Sequence, residues 1–203
     1  IITNIQEDHL GISDIHNLED LARVKSVVVE SVKRDGWAVL NAEDEQCVKI
    51  GNSLRCNVAY FSLNEDCPVI VDHCSEGGVA AIYENGYITI KKGDWKIRIE
   101  KATLIPLTMN GKAMFNVANV LAATLAAYLH GFKTEGIRLS LSTFLPSAAQ
   151  TPGRLNVFEF SKFKFMIDFA HNPSSYKGIE VFLDSVDAKR KIGIISGVGD
   201  RRD

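Results

Sequence analysis

No run of the form GxxxxGK[ST] occurs anywhere in the 203 residues, so the loop that cradles nucleotide phosphates with backbone N–H groups and a lysine is not encoded here. Nor does any stretch approach the roughly 18 consecutive apolar residues of a membrane-spanning helix. Neither sign of charge dominates: 23 basic residues face 25 acidic ones, which excludes the electrostatic footprint of a nucleic-acid or membrane-surface binder. Cysteine is sparse. Cys47, Cys56, Cys67 and Cys74 show no CxxC spacing and no histidine at zinc-finger distance. Their even number permits a disulfide framework, but a chain with 46% hydrophobic residues buries a core without one. Free thiols in a reducing cytosol, hence a cytoplasmic protein, are the expectation. No Ser/His/Asp or Cys/His arrangement, internal repeat or low-complexity segment is present.

The first residues, Ile1 to Ile5, include neither an initiator methionine nor a signal peptide. The last five, Gly199 to Asp203, form a polar loop after an apolar run. Both ends are expected to be cuts within a longer protein.

What is present reads as α/β. Ile1–Ile5 has the character of a buried strand end, followed by a polar loop at Gln6–Gly11. A helix follows, capped by Asn17, with apolar residues at Leu18, Leu21, Ala22, Val28, Val29 and Val32, and with Gly36 as its stop. Trp37–Leu40 is a short strand. The stretch 51–77 reads as loop-rich. Val79–Tyr83 and Tyr87–Ile90 flank Glu84-Asn85-Gly86, a hairpin signal. Trp95–Ile99 and Thr103–Leu107 are further strand candidates. Met114–His130 is an Ala-rich helix closed by Gly131, and Thr134–Phe144 a second helix. Proline, serine, glutamine, threonine and glycine cluster between Pro146 and Gly153, the best linker candidate. Beyond it, Leu155–Phe160 and Phe163–Phe169 suit a hairpin and Ser174–Val186 a helix. Lys191–Ser196 suits a buried strand, the start of a parallel α/β unit.

Several polar residues stand out against this frame. Asp8-His9 follows a strand, where ligand sites of open α/β sheets lie, although taken alone the pair reads first as an ordinary polar loop. Lys25 falls on or beside the apolar stripe of the first helix. It is either a snorkelling lysine or a desolvated amine that can react with carbon dioxide to give a metal-binding carbamate. Asn116 and Asn119 lie three apart on one helix face, where asparagine is disfavoured. They either bond neighbouring backbone or reach a base or sugar. Arg154 follows the linker and is either solvated or directed at a phosphate across a seam. Asp168 and His171, in Asp168-Phe169-Ala170-His171-Asn172-Pro173, put an acid and an imidazole just after a strand.

In order and spacing, these segments resemble the Mur ligase family. The resemblance is carried by Ile2-Thr3-Asn4-Ile5 with Asp8-His9-Leu10-Gly11, by Ala22-Arg23-Val24-Lys25, and by Leu40-Asn41-Ala42-Glu43-Asp44. It continues in Phe115–Ala123, in Pro152-Gly153-Arg154 and in Asp168–Pro173. Within the family, Tyr83–Tyr87, Lys92-Gly93-Asp94-Trp95 and Pro146–Arg154 resemble the branch that makes the polymer cyanophycin. That resemblance implies an ATP-dependent ligase that activates a carboxylate as an acyl phosphate, with ATP and magnesium required. It implies His9 and Lys25 as catalytic, magnesium-holding positions, and Asn116, Asn119, Arg154, Asp168 and His171 as nucleotide-binding ones. Residues 1–148 would be the later portion of the central ATP-binding domain, with its phosphate loop upstream. Residues 149–203 would begin a Rossmann-like C-terminal domain. The implied substrates are aspartate, arginine and a cyanophycin primer, with neither nucleic acid nor membrane as partner and with a homo-oligomer possible for the full-length protein. Peptidoglycan and folylpolyglutamate ligases are the alternatives within the family, and a non-catalytic nucleotide-binding module the alternative outside it.

Overall fold

The computed structural model describes residues 1–7, 11 and 15–195. Its larger sheet contains five strands in the order β1 (Trp37–Asn41), β2 (Asn57–Ser62), β3 (Val79–Glu84), β4 (Tyr87–Lys92) and β5 (Trp95–Lys101). β1, β2 and β3 run parallel, while β4 and β5 continue antiparallel. Before β1, Ile2 adds a single parallel bridge to Leu40, so the expected first strand is present only as that contact.

Alternating residues explain the layers. Ala38, Leu40, Tyr60, Ala80 and Ile82 point to one face and join a core with α1 (Leu18–Glu30), α2 (Glu45–Ser53) and α3 (Pro68–Ser75). Val39, Ala59, Phe61 and Ala81 point to the other and pack with α4 (Met114–Leu129) and α5 (Thr134–Thr143). Strands covered on both faces need apolar residues at successive positions, hence the short continuous runs in β1 and β3. Ile88, Ile90, Ile97 and Ile99 of β4 and β5 face the second core; Thr89 of β4 is also buried, so only β5 shows the alternation of a half-covered strand. Arg138 of α5 donates to the Ile99 carbonyl at 2.6 Å and occupies part of the β5 edge. The β3–β4 turn holds Asn85 at φ 50° and Gly86 at φ 82°, two left-handed residues as a two-residue hairpin requires.

A second, two-stranded sheet pairs β6 (Asn156–Glu159) with β7 (Lys164–Ile167), followed by α6 (Pro173–Asp184). A third core joins it to the start of α4: Leu155, Met166, Ile179, Phe182 and Leu183 pack with Met109, Ala113 and Phe115. Lys112 Nζ adds a 2.9 Å bond to the Ser185 carbonyl. The four cysteines are unpaired. Among the described residues, no helix is long and apolar enough to cross a membrane.

Several expectations require correction. The stretch 51–77 is not mainly loop, because it holds the end of α2, all of β2 and α3. Both helices are too short to show a helical period, and they begin through local chemistry, an Asp44 cap on the Cys47 N–H and Pro68 at the first position. Thr103–Leu107 is two 3-10 turns rather than a strand. Pro106 has no N–H for a ladder, and Thr108 Oγ1 donates to the nearby Ala102 carbonyl at 2.5 Å. α1 stops at Ser31 and not at Gly36, and Val28 is 60% exposed. Its buried stripe is Leu21, Ala22, Ser26 and Val29. Residues 191–195 form no strand and lie exposed, with Ile194 at 95%. Within the described residues no sheet edge pairs with them, and an unpaired extended run is not a strand.

Candidate functional site

The residues singled out from the sequence fall into three groups. Asp8 and His9 lie outside the described residues.

The first group surrounds Lys25. It sits half-buried on α1 beside the buried stripe, and its Nζ reaches the Asn4 carbonyl at 3.4 Å. The amine therefore crosses from the helix to the opening segment 1–7, which precedes Asp8 and His9 in sequence.

The second group is on α4. Asn116 is 8% exposed and donates through Nδ2 to the Leu107 carbonyl at 2.9 Å. Asn119 is exposed and donates to Asn116 Oδ1 at 3.4 Å. One asparagine thus spends its amide N–H on the backbone before the helix and orients the other. α4 has no side-chain cap, so its first N–H groups face outward from the helix start without a side-chain acceptor.

The third group brings Arg154, Asp168 and His171 together around Phe169. The Arg154 guanidinium lies 5.7 Å from the Phe169 ring centroid, and the His171 ring lies 5.1 Å from it on a tilted axis. His171 Nδ1 is 2.8 Å from the Phe169 carbonyl. Asp168 Oδ2 accepts from the Leu155 N–H at 2.9 Å, and the Phe169 N–H donates to the Gly153 carbonyl at 2.7 Å. The turn 151–155 and the strand end 168–171 are therefore stitched together, and Gly153 permits this with φ 69°. Sequence reasoning missed Asn156. It is buried, accepts from the Gly153 N–H at 2.7 Å and donates to the Thr151 carbonyl at 3.0 Å. Its position three residues after a Pro-Gly turn was the available signal.

Next to this cluster, Asn172 caps α6 by accepting from the Ser175 N–H at 2.8 Å, with Pro173 at the first helical position. The starts of α4 and α6 meet at an open cavity of about 530 Å³ lined by Gln6, Met114, Phe115, Pro173, Ser174 and Lys177, with Gly178 and Val181. Gly178 of α6 faces Phe115, and a Cβ there would meet the Phe115 ring at 3.4 Å, an ordinary van der Waals contact. None of the five residues assigned to nucleotide lines this cavity. It opens between α4, which carries Asn116 and Asn119, and α6, which follows Asp168 and His171 in sequence.

Residues 1–127, which supply the five-stranded sheet, α1 to α3 and most of α4, match the family described as the Mur ligase middle domain. The chain belongs to that family. Across all 203 residues it is 48% identical to the cyanophycin synthetase of Trichormus variabilis and 47% identical to that of Nostoc sp.. It spans 22% of the length of each. Among solved structures, the crystal structure of MurF from Acinetobacter baumannii superposes with a TM-score of 0.62, covering 91% of this chain and 37% of that one. At 18% sequence identity that likeness speaks for the fold alone.

Proposed function

We propose that the intact protein is an ATP-dependent ligase that forms an amide bond, and that it adds arginine to the side-chain carboxyl of aspartate on a growing cyanophycin primer. The supporting observation is the 48% identity to a cyanophycin synthetase over all 203 residues, a span that takes in both sheets. In this reaction a carboxylate oxygen takes the γ-phosphoryl group of ATP, releasing ADP. The arginine amine then attacks the acyl carbon, phosphate leaves, and the nitrogen gives up its proton.

Residues 1–148 are the later part of the central domain and 149–203 the beginning of a Rossmann-like C-terminal domain. Arg154, Asp168 and His171 then present a cation, a carboxylate and an imidazole from the second unit, while Asn116 and Asn119 present amides from α4. That donor set suits a nucleotide: the guanidinium pairs with phosphate, the carboxylate accepts from ribose hydroxyls, and the amides pair with base edges. Lys25 and His9 are assigned to magnesium, which would neutralise phosphate charge. As an ammonium that donates to the Asn4 carbonyl, Lys25 does not fit a cation. As a carbamate it does, because the nitrogen keeps one N–H for the Asn4 carbonyl while the two added oxygens supply anionic donors for a cation.

The test is ADP release by the purified intact protein with magnesium, ATP, primer and aspartate, with and without arginine. Release that requires arginine and lengthens the primer supports the proposal. Release that requires a peptidoglycan precursor or a folate instead would overturn the substrate assignment.

A further inference from the structure

Three consecutive residues of the opening segment are gripped by side chains from three different elements. The Thr3 carbonyl accepts from Asn41 Nδ2 at 2.9 Å, and the Asn4 carbonyl accepts from Lys25 Nζ at 3.4 Å. The Ile5 N–H donates to Asp44 Oδ2 at 2.6 Å. The only backbone tie of this segment to the sheet among the described residues is at Ile2, whose N–H donates to the Val39 carbonyl at 3.0 Å. Beyond Ile2, side chains do the work of a ladder.

Asn41 and Asp44 are themselves fixed. Asn41 Oδ1 accepts from the Glu43 N–H at 2.9 Å, and Asp44 Oδ1 accepts from the Cys47 N–H at 3.0 Å as the cap of α2. Asp44 is 6% exposed, so its carboxylate bonds are charge-assisted and poorly screened. Each residue thus spends one polar atom on its own turn and the other on the opening segment. The position of Thr3–Ile5 is tied to the β1–α2 turn, and the Asn4 carbonyl is held where Lys25 Nζ meets it.

We propose that Asn41 and Asp44 are positioning residues for Lys25, acting through the backbone of Thr3–Ile5. The metal-related half of this proposal rests on the assignment of Lys25 to magnesium, and the experiment separates the two. In the intact protein, brief acetic anhydride labelling followed by peptide mass spectrometry reads the exposure of each lysine amine. Asn41→Asp keeps an acceptor for the Glu43 N–H but loses the donor to Thr3 and sets a carboxylate against a carbonyl. Asp44→Asn keeps one acceptor and loses the charge. Both variants are expected to raise Lys25 labelling about three- to tenfold relative to Lys33 and Lys49, the equilibrium worth of about one net hydrogen bond. The magnesium concentration for half-maximal activity rises with it, while the Michaelis constant for arginine stays within about twofold. Unchanged Lys25 labelling in both variants, with circular dichroism intact, overturns the proposal. Loss of fold in both overturns it as well, since the two residues would then be structural. Wild-type magnesium dependence in Lys25→Ala would remove the metal assignment of Lys25, and the labelling result would still decide the positioning role.

Discussion

The Asp168 carboxylate accepts a 2.9 Å hydrogen bond from the N–H of Leu155, a buried leucine held in the left-handed region at φ 48°. A non-glycine residue in that conformation costs of order 1–3 kcal/mol and persists where its surroundings over-determine it. Here the surroundings are the Asp168 oxygen on one side and the apolar core around Ala113 and Phe182 on the other. The acid that the family resemblance assigns to nucleotide therefore also holds the turn that presents Arg154.

Asp168→Ala is expected to raise the Michaelis constant for ATP by about tenfold or more, because it removes a charge-assisted acceptor worth roughly 1.5–3 kcal/mol. The constants for the amino-acid substrates should change less. Asp168→Asn retains an acceptor for Leu155 and separates the two roles. If the asparagine variant binds ATP like wild type, the carboxylate serves the turn alone. Steady-state kinetics on both variants is the measurement.

The paired asparagines of α4 should behave differently from each other. Asn116→Ala leaves the Leu107 carbonyl without its donor and should lower stability by about 1–3 kcal/mol in a denaturant titration. Asn119 is exposed, so Asn119→Ala should shift stability by no more than about 0.5 kcal/mol while weakening nucleotide binding. A reversed order of stability losses would contradict the hydrogen-bond pattern.

Much of the fold was legible because its signals are local. Asn17 accepts from the Asp20 N–H at 2.9 Å, as its position before an apolar period indicated. Asn85-Gly86 turned the chain, and the Ala-rich run became α4. Residues 45–75 were less legible since α2 and α3 contain nine and eight residues, too few for a helical period to emerge over Gly51, Asn52 and Ser53. The run 191–195 misled for the opposite reason, since apolar residues alone cannot say whether a partner strand exists. In the site, Asp168 and His171 were visible because they sit three residues apart beside a strand. Asn41, Asp44 and Asn156 were not assigned roles. The bonds from Asn41 and Asp44 to the opening segment span 38 and 39 residues, which no local pattern encodes.

Lys25→Ala is expected to reduce ligation severely in the intact protein, because it removes the amine assigned to the magnesium-holding carbamate. Added bicarbonate or a small carboxylate should partly restore activity if the missing group is an anion. Wild-type activity in this variant would sink the assignment.

Stability should fall on mild acidification through His73. Burial lowers its pKa from the ordinary value, partly opposed by a hydrogen bond with the Val79 backbone and by the Glu76 charge. The ring stands edge-on to Tyr60 at 5.0 Å, and its Nε2 is buried without a protein partner. A depressed folded-state pKa means that the unfolded chain binds a proton first. The contribution is complete above about pH 6.5 and is lost as pH falls towards the lower folded value, by at most about 1.4 kcal/mol per pH unit. Chemical denaturation at several pH values should show this slope, and His73→Phe should flatten it. A slope unchanged by that substitution would assign the acid sensitivity to other groups.

The 203-residue chain alone should neither ligate amino acids nor bind ATP tightly. Phosphates carry most of the charge of the nucleotide, and a phosphate loop meets them with several backbone N–H groups, a lysine and a magnesium-binding hydroxyl. No GxxxxGK[ST] run lies in this sequence to supply them. Charge-assisted hydrogen bonds are worth roughly 1.5–3 kcal/mol each, so lacking three of them weakens binding by about 4–9 kcal/mol. That corresponds to a factor on the order of a thousand or more. The exposed Asn119 amide and the single Arg154 guanidinium cannot replace that loss, because one guanidinium on phosphate does not supply the backbone N–H groups, lysine and hydroxyl of the loop. Isothermal calorimetry of the purified chain with magnesium and ATP should give no heat of tight binding. A micromolar dissociation constant would mean that the cluster of Arg154, Asp168 and His171, with the nearby cavity between the starts of α4 and α6, holds nucleotide without a phosphate loop.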